Sequence, residues 1–294
     1  MSVHVEGWPP ELIPEFLCDD AGYFLKAGRL LERGHSEWQS YEVWDTPRFG
    51  RLFRLDGCFM TSERDEFYYH ENLIHVPGLA HAGLRRALVI GGGDGGSAEE
   101  LLKYPSIDKV VIAELDAKVI DISRRHLQAV HHGALDDPRV DIRIGDGMKY
   151  VLEDAPAAGD RYDIVVLDLT DPVGPAEALY SEAFFRACRE LLTPGGALSL
   201  HIGTPVFQPE RVRLLIERLR AVFACVRPYF LYIPLYGSLW GLACASDTLD
   251  PLSLSEEEVE RVIASRGISR LQHLNGAVYR AQFALPNHLR ALLA

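Results

Sequence analysis

The feature that most limits what this chain can fold into is Ala87–Leu102, "ALVIGGGDGGSAEELL", an apolar run that empties into glycine and restarts as an amphipathic helix. A strand that turns on glycine straight into a helix opens a β-α-β unit, so the next strand of the sheet lies parallel to it. The chain downstream keeps that rhythm. Strands are expected at Ala87–Gly91, Lys109–Leu115, Val140–Gly145, Tyr162–Leu169, Ala197–Ile202, Arg227–Ile233 and Gly241–Ser246. Helical spacing fills gaps between them, as at Asp116–Val130, Ser181–Leu192 and Pro209–Phe223. The strands are short continuous apolar runs, the pattern of a parallel sheet covered on both faces. The last two follow each other without room for a crossover helix, so one of them runs antiparallel.

Upstream the character changes. From Trp38 to Ser62, β-branched and aromatic residues alternate with polar ones, and turn signals fall at Asp45–Thr46–Pro47 and Asp56–Gly57. That spacing predicts a short antiparallel meander. "ERDEFYYHENLIHVPGLAHAG" then shows helical spacing through Phe67, Leu73, Ile74 and Leu79. The expected fold class is α/β: a doubly wound, Rossmann-like (methyltransferase-type), mostly parallel seven-stranded sheet behind a small N-terminal β-rich domain. The division is expected between residues 1–65 and 66–294.

At 294 residues, 48% apolar and 24% charged, the chain has the makings of an ordinary globular core. No apolar run approaches the roughly 20 residues of a membrane span. The N-terminus lacks the basic start and apolar middle of a secretory signal. Five cysteines, scattered and without metal-ligand spacing, fit a reduced, cytoplasmic compartment. The formal net charge of −12 argues against nucleic acid as a partner. It suits a cationic substrate, and equally the solubility of many acidic proteins.

Three strand ends carry the nucleotide signal. Gly91–Gly96 satisfies G-x-G-x-x-G between strand and helix; Glu114, about 20 residues on, stands where an acid holds ribose hydroxyls; Asp146 in "IGDG" can accept from an adenine amino group. Singly, each has a plain structural role: a tight turn, a solvated strand end, an N-cap. Together they indicate an adenosyl ligand. A pyrophosphate would meet Asp94 inside the turn, and two like charges at about 4 Å repel by about 4 kcal/mol at an effective dielectric near 20. A helix N-terminus offers only about 0.3–1 kcal/mol the other way. A cation is favoured, such as an adenosyl sulfonium with a terminal ammonium. At the fourth strand end, "VVLDLTDPVGPAEALY" sets Asp168 and Asp171 three apart, followed by the stiffening pair Pro172 and Pro175. Two acids there can hold an amine and accept its proton, or merely cap the helix that follows.

"GGGDGG", "AELD", "GDG", "DLTDPVGPAEALY" and "ERDEFYYHE" together resemble the polyamine aminopropyltransferases, typified by spermidine synthase, in order and spacing from about Gln39 to Leu289. The resemblance implies transfer of an aminopropyl group from decarboxylated S-adenosylmethionine to an amine, with release of methylthioadenosine. It implies no metal and no cofactor beyond that co-substrate. Carried over by position, Gln39 contacts the donor, Glu114 its ribose, and Asp146 with Gly147 its adenine. Pro175 lines the adenine pocket and Asp94 holds the aminopropyl ammonium. Asp168 is the proton acceptor, with Tyr69 and Asp171 positioning the acceptor amine. His70 lies near the aminopropyl and diamine groups, and Tyr236 near the far end of the acceptor. Small-molecule substrates, no membrane, and a homodimer or homotetramer complete the expectation.

The acceptor half departs from the pattern. Relatives commonly read "IPTYPSG" where this chain has Ile233–Leu239 with Leu235 and Gly237, followed by Trp240. A glutamine is replaced by His201, a "YYN" by His273-Leu274-Asn275, and a following histidine by Tyr279. Neutral drift and a pocket reshaped for agmatine, cadaverine or a longer polyamine both fit. Two other classes stand beside the main reading: a methyltransferase using intact S-adenosylmethionine, and a non-catalytic polyamine or nucleoside sensor. Asp94 with the two acids of "DLTDP" disfavours the first. Retention of Tyr69, Asp94, Asp168 and Asp171 together disfavours the second.

Overall fold

Residues 12–171 and 174–294 are described by the computed structural model, Pro175 through its backbone only. Leu12–Phe16 (β1) and Gly22–Lys26 (β2) pair as an antiparallel hairpin. Arg29–His35 (β3), Ser40–Thr46 (β4), Gly50–Leu55 (β5) and Cys58–Ser62 (β6) form a four-stranded antiparallel sheet in sequential order. The meander expected from Trp38 therefore starts earlier. β3 hides from pattern reading because a bulge between Leu30 and Glu32 breaks its alternation. Asp56 and Gly57 both take positive φ (48° and 85°), the primed geometry that closes a two-residue hairpin.

Glu66–Ala80 (α1) is buried at every residue from Tyr69 to Leu79, which is why it shows no single apolar stripe. Beyond it come Arg86–Gly91 (β7), Gly96–Leu102 (α2), Lys109–Glu114 (β8), Ala117–His126 (α3), Val140–Ile144 (β9) and Tyr162–Asp168 (β10). Glu182–Glu190 (α4), Leu192–Gly203 (β11), Pro209–Arg220 (α5), Cys225–Ile233 (β12) and Ser238–Ser246 (β13) follow. The seven-stranded sheet runs β12-β13-β11-β10-β7-β8-β9, and β13 is antiparallel to both its neighbours. The other strand pairs are parallel. The fold class is the one expected. The helical span expected to Val130 is interrupted once: α3 ends at His126, where Arg51 takes the His126 carbonyl at 2.8 Å, Leu127 leaves helical geometry and turns into the core, and a further helical turn covers Gln128–His131.

The alternation along β7 shows the double winding. Val89, with Val110, Ile112 and Val166, packs under α1 and α2 through Leu73, Ile74 and Leu101. Leu88 and Ile90, with Val111 and Val165, meet Phe184 of α4 and Leu215 of α5 on the other face. Each such side chain contributes about 1.5–3 kcal/mol by leaving water. After β7 the chain fills the sheet toward β9, then crosses to β10 on β7's other side. That reversal leaves a crevice at the carboxyl ends of β7 and β10, where Asp168 pairs in register with Gly91.

Candidate active site

The glycine turn lies in that crevice. Gly95, with φ 82°, occupies the left-handed position at the start of α2. Gly96 is glycine for a different reason: a Cβ there would sit 2.2–2.6 Å from three atoms of the His70 ring. The imidazole of α1 is therefore slotted against the start of α2. Its Nδ1 lies 2.8 Å from Glu66 Oε2, one turn earlier on the same helix. Its Nε2 lies 3.5 Å from Asp94 Oδ2 and 3.9 Å from Asp168 Oδ2. The other oxygen of Asp94 accepts the Gly96 N–H at 3.0 Å, and Ser97 donates its hydroxyl to Asp168 at 2.7 Å.

Three carboxylates thus converge on one buried imidazole. Burial opposes the positive charge of His70, yet Asp94, Glu66 and Asp168 outweigh it and hold the ring protonated well above the usual histidine range. Burial also pushes Asp94 up, but His70 and the Gly96 N–H prevail, and its carboxyl stays below the usual range. Asp168 goes the other way. Burial and the negative charge of Asp94 lift it to about 6, against the pull of His70, Ser97 and Tyr69. His70, Asp94 and Asp168 present ligand atoms within 4.8 Å of one another, close enough to hold a small cation. The proton on His70 plays that part.

At the nucleoside end, Glu114 closes β8 with its carboxyl accepting the Asp116 N–H at 2.8 Å. Burial raises it to about 7, opposed by the N–H groups of Asp116 and Gly93. Asp146 is exposed and caps the next helical turn through the Met148 N–H at 2.8 Å, while Gly147 is buried against Ile90. Gln39 donates to Asp116 at 3.1 Å, beside a 2.6 Å bond from Ser36, so it ties the β3–β4 loop to the start of α3. Trp38, Leu115, Asp116, Ile144 and Asp146 border an open cleft of about 560 Å³, the size of a small-molecule site. The expectations for Pro172 and for the Pro175 ring lie outside the described residues.

At the opposite end, the Tyr69 ring lies 5.2 Å from His70 and 6.0 Å from Tyr236, whose hydroxyl donates to the Met60 carbonyl at 2.8 Å. Asp171 is not free. Arg211 Nη1 holds its carboxylate at 2.7 Å, so it receives an amine only by sharing that pair. The departures from the family pattern divide in two. Leu235 is buried in the apolar cluster of Ile13, Phe49, Leu52 and Phe59; Gly237 needs positive φ (60°) against the Tyr23 ring; the Leu274 N–H is bound by Glu71 at 2.8 Å. These three are packing solutions. His201 and Trp240 are buried beside Tyr69 and Tyr236.

Several site groups escaped the sequence reading. Glu66 carried a signal, four residues before His70 on one helix face. Ser97, next to the glycine turn, carried a weaker one. Arg211 and Glu15 carried none, because only tertiary packing brings them to Asp171. Glu15 is a buried carboxyl of β1 lifted to about 8 by burial, against the Phe59 N–H and Arg54, with Asp171 adding to the lift.

Similarity to known proteins agrees with this geometry. Residues 66–254 match the spermine/spermidine synthase domain. A polyamine aminopropyltransferase of Nitrosomonas europaea is 48% identical over 280 residues, covering 95% of this chain and 85% of that protein. Polyamine aminopropyltransferase 1 of Pseudomonas aeruginosa is 37% identical, covering 94% and 95%. The crystal structure of a spermidine synthase in complex with the transition-state analogue AdoDATO superposes with a TM-score of 0.88 at 33% identity, covering 96% and 94%. Spermidine synthase from Thermotoga maritima gives 0.85 at 31%, covering 96% and 93%. With half of its length or more matched in each comparison, the chain belongs to the spermine/spermidine synthase family of polyamine aminopropyltransferases.

Proposed function

We propose that this enzyme transfers the aminopropyl group of decarboxylated S-adenosylmethionine to putrescine, giving spermidine and methylthioadenosine. The observation that carries the reading is the buried Asp94–His70–Asp168 cluster at the mouth of the glycine turn. A site that holds a proton among three carboxylates is built for ammonium groups. Asp94 receives the donor's ammonium, Glu114 its ribose and Asp146 with Gly147 its adenine. Gln39 supports that end through Asp116, and Pro175 is assigned to the adenine pocket.

The acceptor amine arrives protonated and must lose a proton before it can attack. Asp168, near 6, is ionised at neutral pH and accepts that proton. The freed nitrogen lone pair forms the new C–N bond while the C–S bond breaks and its electron pair goes to sulfur, so the sulfonium leaves as a neutral thioether. His70 stabilises the ionised Asp168 before the amine binds, and Tyr69 walls the reacting nitrogen. Asp171 and Tyr236 serve the remainder of the acceptor. The rate enhancement rests mainly on alignment of the two reactants in a fixed acidic setting.

The two antiparallel sheets before α1 support a division at residues 1–65 and 66–294. Among the described residues no helix is long and apolar enough to cross a membrane, and the five cysteines are free, in keeping with a cytoplasmic enzyme. Phe16, exposed on the N-terminal hairpin, supports assembly as a homodimer. Calorimetry tests the donor assignment. Decarboxylated S-adenosylmethionine should bind at least tenfold tighter than the carboxylated form, which brings a second negative charge toward Asp94. The opposite preference overturns the reading in favour of a methyltransferase.

A further inference from the structure

Glu66 opens α1 and His70 follows one turn later, with the two side chains 8% and 2% exposed. A protonated imidazole donates from both nitrogens. Among the described residues, Nδ1 meets Glu66 Oε2 at an ordinary 2.8 Å. Nε2 stands 3.5 Å from Asp94 and 3.9 Å from Asp168, beyond the usual N–H···O range of about 2.7–3.2 Å. The hydrogen bond to Glu66 is therefore the short polar contact that orients the ring. Packing does not lock it alone. Gly96 closes on the imidazole with no room for a Cβ, but His70 and Glu66 also border a cavity of about 10 Å³, walled by Thr61, Asp65 and Tyr236, space for one water-sized group. The carboxylates on either side of Glu66 and His70 in sequence are committed elsewhere. Asp65 accepts from the Ser62 hydroxyl and, at 2.7 Å, from the Leu235 N–H. Glu71 accepts the His273 and Leu274 N–H groups at 2.9 and 2.8 Å.

We propose that Glu66 is a positioning residue for the transfer: by accepting the Nδ1–H it fixes the His70 ring with Nε2–H facing both Asp94 and Asp168. An acid at one imidazole nitrogen sets the direction in which the other nitrogen works. Here the direction matters because the two aspartates repel each other, with oxygens within 4.8 Å of one another and of Nε2. The imidazolium relieves that repulsion only while Nε2 faces both. A ring that swung toward the cavity would leave the two carboxylates to move apart, and with them the places where the donor's ammonium and the acceptor's reacting nitrogen are held. Glu66 touches neither substrate in this account and acts through His70. The proposal rests on the aminopropyl-transfer reading above.

Methylthioadenosine release gives kcat and KM for the wild-type enzyme, Glu66→Gln and Glu66→Leu, with rates expressed per methylthioadenosine-binding site counted by calorimetry. Glutamine keeps an oxygen within reach of Nδ1–H, whereas leucine fills similar space and accepts nothing. Glu66→Leu should lower kcat at least tenfold, the size expected for a hydrogen bond to a charged group, and Glu66→Gln should return it to within about threefold of wild type. Methylthioadenosine, which carries no ammonium, should bind all three proteins within about twofold. In proton–nitrogen NMR, the His70 Nδ1–H signal, assigned by its loss in His70→Gln, should persist in Glu66→Gln and vanish in Glu66→Leu. Should Glu66→Leu not fold, Glu66→Ala against Glu66→Gln gives the same comparison. An unchanged kcat in Glu66→Leu, an equal loss in Glu66→Gln, or no Nδ1–H signal in the wild-type protein overturns the proposal. Absence of methylthioadenosine with every amine in the wild-type enzyme contradicts the functional reading instead, and the NMR signal still decides how the ring is held.

Discussion

Asp94 and Asp168 both face Nε2 of one imidazole, and their environments push them apart: Asp94 down, Asp168 up to about 6. That separation suits the roles proposed for them, one as a permanent anion and the other as a proton acceptor. Asp168→Asn should lower turnover by roughly 10²–10⁴-fold with donor affinity nearly intact, as read by steady-state rates and calorimetry. The same substitution should stabilise the fold at neutral pH. A carboxyl whose folded value exceeds its unfolded value near 3.9 favours the unfolded state once ionised, by up to about 3 kcal/mol above pH 6. Below about pH 4 both states are protonated and the gain disappears, so melting curves at pH 7 and pH 3.5 check the sign. The wild-type kcat/KM should fall with unit slope as pH drops through about 6. Asp94→Asn should weaken the ammonium-bearing donor and leave methylthioadenosine binding unchanged.

The junction of α1 with α2 shows how elements build the site. His70 reaches the two acids because α2 begins with a residue that has no side chain. Gly96→Ala should force the ring aside, cutting turnover at least tenfold and costing roughly 1–3 kcal/mol from overpacking. The double variant Gly96→Ala/His70→Ala should regain neither stability in thermal melts nor activity, because removing the ring leaves Glu66, Asp94 and Asp168 buried without their cation. Much at this scale was legible beforehand: the strand–turn–helix around the glycines, the acids at the ends of β8, β9 and β10, and the antiparallel β13. What stayed hidden depended on partners distant in sequence. Arg51 ends α3 by taking a carbonyl, a bulge disguises β3, and Arg211 engages Asp171 across 40 residues of chain. Pattern reading finds periodicity and motifs, and none of these three contacts leaves either.

At the scale of the molecule, a chain of net charge −12 gathers two cationic substrates around a cluster of acids. Attraction of that range is screened by salt, so KM for the amine should rise several-fold between 0.05 and 0.5 M NaCl (roughly 14 to 4 Å of Debye length), while kcat changes little. Insensitivity of KM would mean that close contacts alone bring the amine in. The family and the donor end were readable from residues the chain keeps, whereas the acceptor end turns on residues it has changed, among which His201 and Trp240 acquire meaning only through their three-dimensional neighbours. The central claim is that a carboxylate-lined glycine turn selects an adenosyl donor bearing an ammonium and no carboxylate, for alkyl transfer to an amine. Product analysis with putrescine and each donor in turn tests it most directly. Decarboxylated S-adenosylmethionine should yield equal amounts of methylthioadenosine and spermidine, and S-adenosylmethionine should yield neither. Formation of S-adenosylhomocysteine from the carboxylated donor, with no methylthioadenosine from the other, would contradict it.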